Sequence, residues 1–270
     1  MRWSIAASPT SKTIALLLLG CTLPLFAHIY YTTHHPSSPM PKKLTKQGTG
    51  LSTASAASSA SSLPGILADG LPLPRAVVFD LDYTLWPFWV DTHVLPPLRP
   101  NAAHSACADK TGEAYAFYAD VPSVLHGLAR AGVRLGVASR THAPDLGREM
   151  LKLLHVPGAS SVLALGQGEG VQEEAAAAKG RGKEKARKAL EFFDAGLEIY
   201  PGSKIQHFQA LHKRTGIPFG DMLFFDDERR NLNTESLGVT MWLVRDGVTW
   251  DEVVKGIEEW RRRKGIQGPA

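Results

Sequence analysis

The chain has 270 residues, room for one medium-sized domain and some additional segments, with ordinary apolar (44%) and charged (21%) contents. Its formal net charge of +4 is modest, and since no acid precedes Asp69 the excess sits on Arg2, Lys12, Lys42, Lys43 and Lys46; no basic face is left for nucleic acid, and none is expected as a partner. Two cysteines, Cys21 and Cys107, with no CxxC pair and no Cys/His cluster, exclude a disulfide framework and a structural zinc and fit a reducing compartment.

Residues 1–70 do not read as part of a domain. Residues 14–31 are strongly apolar and follow Arg2 and Lys12. They are at the lower length limit for a membrane-spanning helix, and Pro24 and His28 weaken that reading. A signal peptide, or an organelle presequence rich in Ser and Thr and poor in acids, fits equally, and Met40 is an alternative start. Membrane contact through residues 14–31 is thus one expectation among several. Residues 45–68, rich in Ser, Ala, Thr and Gly, read as a disordered tether to a domain over 71–270.

From Arg75 onward strands and helices alternate. Ala76–Phe79 is a short apolar run, as in a strand buried on both faces. Asp120 is a good N-cap for a helix over 121–131, with Pro122 in its first turn and Gly132 closing it. A strand over 133–138 runs into Ser139-Arg140-Thr141, and a helix over 143–154 places Leu146, Met150 and Leu153 on one face. Residues 166–188, rich in Ala, Gly, Glu and Lys, interrupt the order and read as a solvated surface insertion. Ser203 caps a predicted helix Lys204–Thr215, which Gly216 ends, with Ile205, Phe208 and Leu211 on one stripe. Strands over 222–225 and 239–244 follow, the first running into Asp226-Asp227. Thr249-Trp250-Asp251-Glu252 has the spacing of a capping box for a last helix, with Val253, Ile257 and Trp260 on its apolar face. This order predicts an α/β fold with a parallel sheet covered by helices on both sides.

Ligands of such sheets bind beyond the carboxyl ends of the strands. There the sequence places Asp80 and Asp82, then Ser139 and Arg140, then Asp226 and Asp227, with Lys204 opening a helix. Each part alone has an ordinary reading: a turn, a helix cap, a surface lysine. Together, four carboxylates, a fixed cation and a hydroxyl make a site for a phosphate and a divalent metal, and magnesium is the usual hard cation for oxygen donors. Asp80 is placed as a nucleophile, and Asp82 as an acid for the leaving oxygen and then a base for water. Ser139 and Lys204 would hold phosphoryl oxygens, and the pair Asp226-Asp227 would complete the metal site.

The segments Asp80-Leu81-Asp82-Tyr83-Thr84, Ser139-Arg140-Thr141, Tyr200-Pro201-Gly202-Ser203-Lys204 and Phe224-Phe225-Asp226-Asp227 through Asn231 resemble the four motifs of the haloacid-dehalogenase-like superfamily. The aromatic stretch from Trp86 to His93 is similar to the magnesium-dependent phosphatase-1 family within it, which groups acid phosphatases with protein-tyrosine-phosphatase-like activity. The resemblance implies a Rossmann-like three-layer sandwich with a minimal hairpin cap. It also implies a magnesium-dependent phosphatase with a phospho-aspartyl intermediate on Asp80, and Asp82 as acid/base that ligates metal through its backbone carbonyl. Ser139, Arg140 and Lys204 would contact the phosphate or substrate; the direct metal ligand of the fourth motif is either Asp226 or Asp227. Substrates implied are phosphotyrosine, on a protein or free, and small sugar phosphates such as fructosamine 6-phosphate.

Asp82 argues against the dehalogenase branch, which needs no acid there, and the short span between Pro87 and Ala119 argues against the large cap of phosphomutases. An open site on a monomer is expected. Trp86, Phe88 and Trp89 either stack on an aromatic leaving group or pack the hairpin. The alternative from another class is a membrane-tethered binding module that keeps the fold without turnover. For location, the catalytic part suits the cytoplasm, whereas the N terminus suggests an anchor or organelle or secretory targeting.

Overall fold

The computed structural model describes residues 64–158 and 185–267. The readings placed on residues 14–31, on the tether up to residue 63 and on most of the 166–188 insertion lie outside them. Among the described residues no helix is long and apolar enough to cross a membrane.

Strand β1 (Ala76–Phe79) is followed by a short helix α1 (Val90–His93) and three two-residue strands, β2 (Arg99–Pro100), β3 (Cys107–Ala108) and β4 (Ala114–Tyr115). Next come α2 (Val121–Arg130), β5 (Arg134–Ser139), α3 (Pro144–Leu153), β6 (His155–Val156), β7 (Arg187–Lys188) and β8 (Gly196–Ile199). The chain ends with α4 (Lys204–Thr215), β9 (Met222–Asp226), a 3-10 stretch (Arg229–Leu237), β10 (Thr240–Leu243) and α5 (Trp250–Arg263). The main sheet is parallel throughout, in the order β10-β9-β1-β5-β8. Its central strand β1 is buried on both faces. Val77 and Phe79 face a core shared with α2, α3 and α5, while Ala76 and Val78 face a second core shared with Phe208 and Leu211 of α4. The predicted three-layer α/β sandwich is therefore the observed one.

Several expectations need correction. The main sheet has five strands where four were predicted. Strand β8 escapes an apolar-run search because Glu198 interrupts it, and this carboxylate is buried against Arg214 of α4 (3.2 Å). The cap is a three-stranded antiparallel sheet, β2-β3-β4, where a hairpin was expected. One carboxylate folds it: Asp109 accepts hydrogen bonds from the amides of Leu95, Thr111 and Glu113 and from the Thr111 hydroxyl. Asp120 does not cap α2 through its side chain; Oδ2 accepts instead from the Trp250 amide at 3.0 Å. The expected capping box of α5 is half formed. Thr249 accepts from the Glu252 amide, but the Glu252 carboxylate is drawn away by the indole N–H of Trp242. A reciprocal box does form on α4, between Ser203 and Gln206.

Gly65–Leu67, ahead of residue 71, forms a 3-10 turn. Arg261 of α5, buried, holds this segment through Asp69 and the carbonyls of Ile66, Leu71 and Pro72. The far end of the expected insertion is likewise part of the fold, since β7 pairs antiparallel with β6.

Two close approaches set how tightly α5 lies on the sheet. The rings of Phe79 and Phe225, register partners on β1 and β9, stack at 5.5 Å. Gly256 of α5 lies over Phe225, where a Cβ would come within 2.6 Å of the ring. The helix can approach only because residue 256 carries no side chain.

Candidate active site

The carboxyl ends of β1, β5 and β9 carry the polar residues that the sequence analysis singled out. The first loop begins at Asp80, whose amide donates to the Phe225 carbonyl (2.9 Å), and turns so sharply that the amides of Thr84, Leu85 and Trp86 converge on the Leu81 carbonyl. Tyr83 occupies the left-handed region at φ 52°, an unfavourable conformation for a bulky residue that a functional loop can retain. This turn brings Asp82 beside Asp80 at the mouth of the sheet.

Lys204 is the hub. The Ser203/Gln206 box fixes the first turn of α4, and the side chain of Lys204, 2% exposed, runs inward beneath the strand ends. Its ammonium donates to Asp80 Oδ1 at 2.6 Å and to the Ala138 carbonyl, and lies 2.9 Å from Asp226 Oδ2. Burial works against its charge, but the Asp80 and Asp226 carboxylates outweigh burial and hold its pKa above the ordinary lysine range. Burial likewise pushes Asp80 well up, opposed by Lys204 and reinforced by the charges of Asp226 and Asp82.

The two acids of the fourth motif have different surroundings. Asp226 is fully buried and saturated. Its Oδ1 accepts from the Glu228 amide (2.7 Å) and Asn231 Nδ2 (2.9 Å), and its Oδ2 faces Asn231 and Lys204. Asp227 is half-buried, lines the cleft and is pushed up to about 7 by burial and then by the charges of Asp226 and Glu228. Asp82 is pushed up to about 6 by burial, against hydrogen bonds from Trp86 Nε1 (2.7 Å) and the Val90 amide (3.1 Å) that favour its charged form.

Asp80, Asp82, Ser139, Arg140, Lys204 and Asp227 all line one open cleft of about 380 Å³; Asp226 lies just behind it. One oxygen from each of Asp80, Asp226 and Asp227 lies within 4.8 Å of the others. These are hard donors, and three carboxylates facing the one ammonium of Lys204 carry an excess of negative charge that a divalent cation would balance. The Asp82 carboxylate is outside this group, turned toward Trp86 and Val90.

The rim joins the cap to the loop after β5. Asp91 of α1 accepts from the His142 amide (3.1 Å), and the two side chains stand 3.7 Å apart. Of the three aromatic residues expected either to stack or to pack, Trp86 and Phe88 are buried, and Trp89 alone lines the cleft, edge-on to Tyr83 at 5.3 Å. Two contributors escaped sequence reasoning. Asn231 lies inside the fourth-motif segment, but an Asn carries no charge to mark it. The indole of Trp86 was read for its ring and not for its N–H.

Residues 72–263 match the acid phosphatase family. A HAD-like hydrolase superfamily protein of Schizosaccharomyces pombe is 38% identical over 175 residues, covering 64% of this chain and 87% of the relative. Magnesium-dependent phosphatase 1 of Homo sapiens is 38% identical over 191 residues, covering 70% of this chain and 89% of the relative. With the parallel sheet, the strand-end carboxylates and the buried lysine all in place, the chain belongs to the acid phosphatase family, within the haloacid-dehalogenase-like hydrolases.

Proposed function

We propose that the protein hydrolyses phosphate monoesters in two steps, with Asp80 as nucleophile and Asp82 as acid and then base. The observation that carries this reading is the clamp of Lys204 between Asp80 and Asp226, with Asp82 beside it and one of its oxygens without a partner among the described residues. An oxygen of Asp80 forms a bond to phosphorus as the ester P–O bond breaks. The electron pair of that bond stays on the leaving oxygen, which takes the proton of Asp82. Water then gives a proton back to Asp82 and attacks phosphorus, and the aspartyl oxygen departs as a carboxylate. Ser139, Arg140 and Lys204 hold the phosphoryl oxygens throughout.

Magnesium is the cofactor; Asp80 and Asp227 would hold it, with the Asp82 backbone carbonyl as the resemblance implies, and Asp226 would add its negative charge beside them. When bound there it neutralises the repulsion between the carboxylate and the phosphoryl oxygens.

For the substrate, the open cleft and the Trp89 wall support an aryl phosphate such as phosphotyrosine, on a protein or free. The polar rim of Asp91 and His142 supports a second reading, a sugar phosphate such as fructosamine 6-phosphate, whose hydroxyls would find partners there. A panel of phosphotyrosine peptides and sugar phosphates separates the two by kcat/KM. Hydrolysis of a generic aryl phosphate, with and without magnesium, tests the chemistry. Turnover is expected to vanish on chelation and in Asp80→Asn, and survival of either treatment would sink the mechanism. Binding of a phosphorylated ligand with no turnover by the native protein would favour the binding-module alternative. We also propose a monomer with no nucleic-acid partner, and an anchoring or targeting role for residues 14–31. Sedimentation tests the first, and a fluorescent reporter fused after residue 45 tests the last.

A further inference from the structure

We infer that Trp86 is a positioning residue for the proton transfer, its indole N–H fixing which oxygen of Asp82 carries the proton; this rests on Asp82 being the acid and base proposed above. The Trp86 Nε1 donates to Asp82 Oδ1 at 2.7 Å, and the Val90 amide donates to the same oxygen at 3.1 Å. An oxygen that accepts two N–H donors does not hold the proton as well. The proton therefore belongs on Oδ2, which accepts no hydrogen bond among the described residues, on a side chain that lines the cleft.

The donor is rigid where the acceptor is not. Asp82 stands on a tight loop with Tyr83 at φ 52°, and a carboxyl group there can exchange its two oxygens by rotation. Trp86 is 0% exposed, stacked face to face on Phe88 at 5.3 Å and 2°, and packed on Phe117 at 6.0 Å. Its N–H direction is set by the core. A carboxyl locked this way needs no reorientation when the leaving oxygen arrives.

The same bond acts in both steps. As the Oδ2–H bond breaks, its electron pair remains on the Asp82 carboxylate and its proton goes to the leaving oxygen. The charge that develops on the carboxylate is met by the two N–H groups already on Oδ1. In the second step Oδ2, still without a hydrogen-bond partner among the described residues, takes the proton from water.

A merely structural role is also conceivable, because a buried indole needs an acceptor. The dependence on the leaving group separates the two. Trp86→Phe keeps a ring in the stack and removes the donor; benzothienylalanine at position 86, with sulfur in place of N–H, keeps the shape as well and serves if the phenylalanine variant does not fold. Magnesium-loaded enzyme is assayed on an alkyl phosphate, whose leaving oxygen must be protonated, and on an aryl phosphate with an acidic phenol, which needs little help. Both variants should lose about tenfold or more in kcat/KM on the alkyl phosphate and no more than about twofold on the aryl phosphate, because kcat/KM reports transfer to Asp80 and not the water step that both substrates share. The loss should disappear in an Asp82→Asn background, because the indole acts only through Asp82. Equal losses on both substrates, no loss at all, or a loss that persists beside Asp82→Asn would overturn the assignment. If Asp82→Asn itself lowers kcat/KM equally for both substrates, the role of Asp82 as acid has failed. If that variant discriminates between the substrates and the position-86 variants do not, only the role of Trp86 has failed.

Discussion

At the carboxyl ends of β1 and β9 a phenylalanine is followed by an acid, and in each case a second acid lies close behind, yet the two strand ends divide the work differently. At the end of β9 the first acid, Asp226, is saturated by Lys204, Asn231 and the Glu228 amide, while its neighbour Asp227 is left at the cleft surface. After β1 the first acid, Asp80, shares only the lysine, and the second, Asp82, is tied by one oxygen to the cap. A carboxylate becomes scaffold where donors fill its lone pairs and becomes chemistry where they do not.

Removing the cation between the loops should have the largest effect. Lys204→Met leaves Asp80 and Asp226 buried and facing each other, a loss of about 3–5 kcal/mol of stability by comparison with other broken buried pairs. Activity should fall below detection. Thermal unfolding should show magnesium restoring part of the lost stability, because it replaces the missing positive charge. A variant as stable as the native protein without magnesium would contradict the clamp.

Next in size is the contrast between the two acids of the fourth motif. Asp226→Asn should lower both the melting temperature and magnesium affinity, since it disturbs three donors at once. Asp227→Asn should weaken magnesium activation without lowering the magnesium-free melting temperature, because it removes a carboxylate whose charge burial opposes. Equal thermal effects would show that the loops do not divide scaffold from chemistry.

A pH series tests the same contrast with no mutation. The Asp227 carboxyl, pushed up to about 7, is protonated below that pH and must lose its proton to ligate. Magnesium affinity should therefore fall by up to about tenfold per unit as pH drops below about 7, as the loss of one proton-linked ligand requires. For stability the sign is opposite. The folded chain binds this proton more tightly than the unfolded chain, so the contribution of Asp227 to magnesium-free stability is full at low pH and is lost as pH rises through about 7. That slope should be absent from Asp227→Asn, as measured by denaturant unfolding at several pH values.

The smallest expected effect is at the cap. Trp89→Ala should raise KM for aryl phosphates by about three- to tenfold, with kcat nearly unchanged, because the ring offers stacking area and touches no reacting atom. An unchanged KM for aryl phosphates would favour the sugar-phosphate reading.

Much of this arrangement was legible in the sequence for a physical reason. Buried parallel strands are apolar runs, and an acid at the end of such a run, as at Asp80 or Asp226, stands out. Strand β8 was not legible because its inward Glu198 finds a partner, Arg214, that only the folded helix α4 supplies. Asn231 and Trp86 were passed over because their contributions are hydrogen bonds to acids, and a neutral side chain does not advertise which acid it will meet. The half-formed box at Thr249 fails for a similar reason, since Trp242 competes for Glu252 from another strand. Local spacing identifies candidates for a bond, and tertiary neighbours decide among them.

The contact between Gly256 and Phe225 bears on how this protein could be engineered. A glycine inside a helix is a usual target for stabilisation, since alanine there is worth roughly 1 kcal/mol in helix propensity. Here the added methyl group would press on a ring stacked against Phe79, and the residues that follow the two rings are Asp226 and Asp80. A thermostabilised library that admits alanine at position 256 would thus trade helix propensity against the spacing of two carboxylates of the proposed metal site.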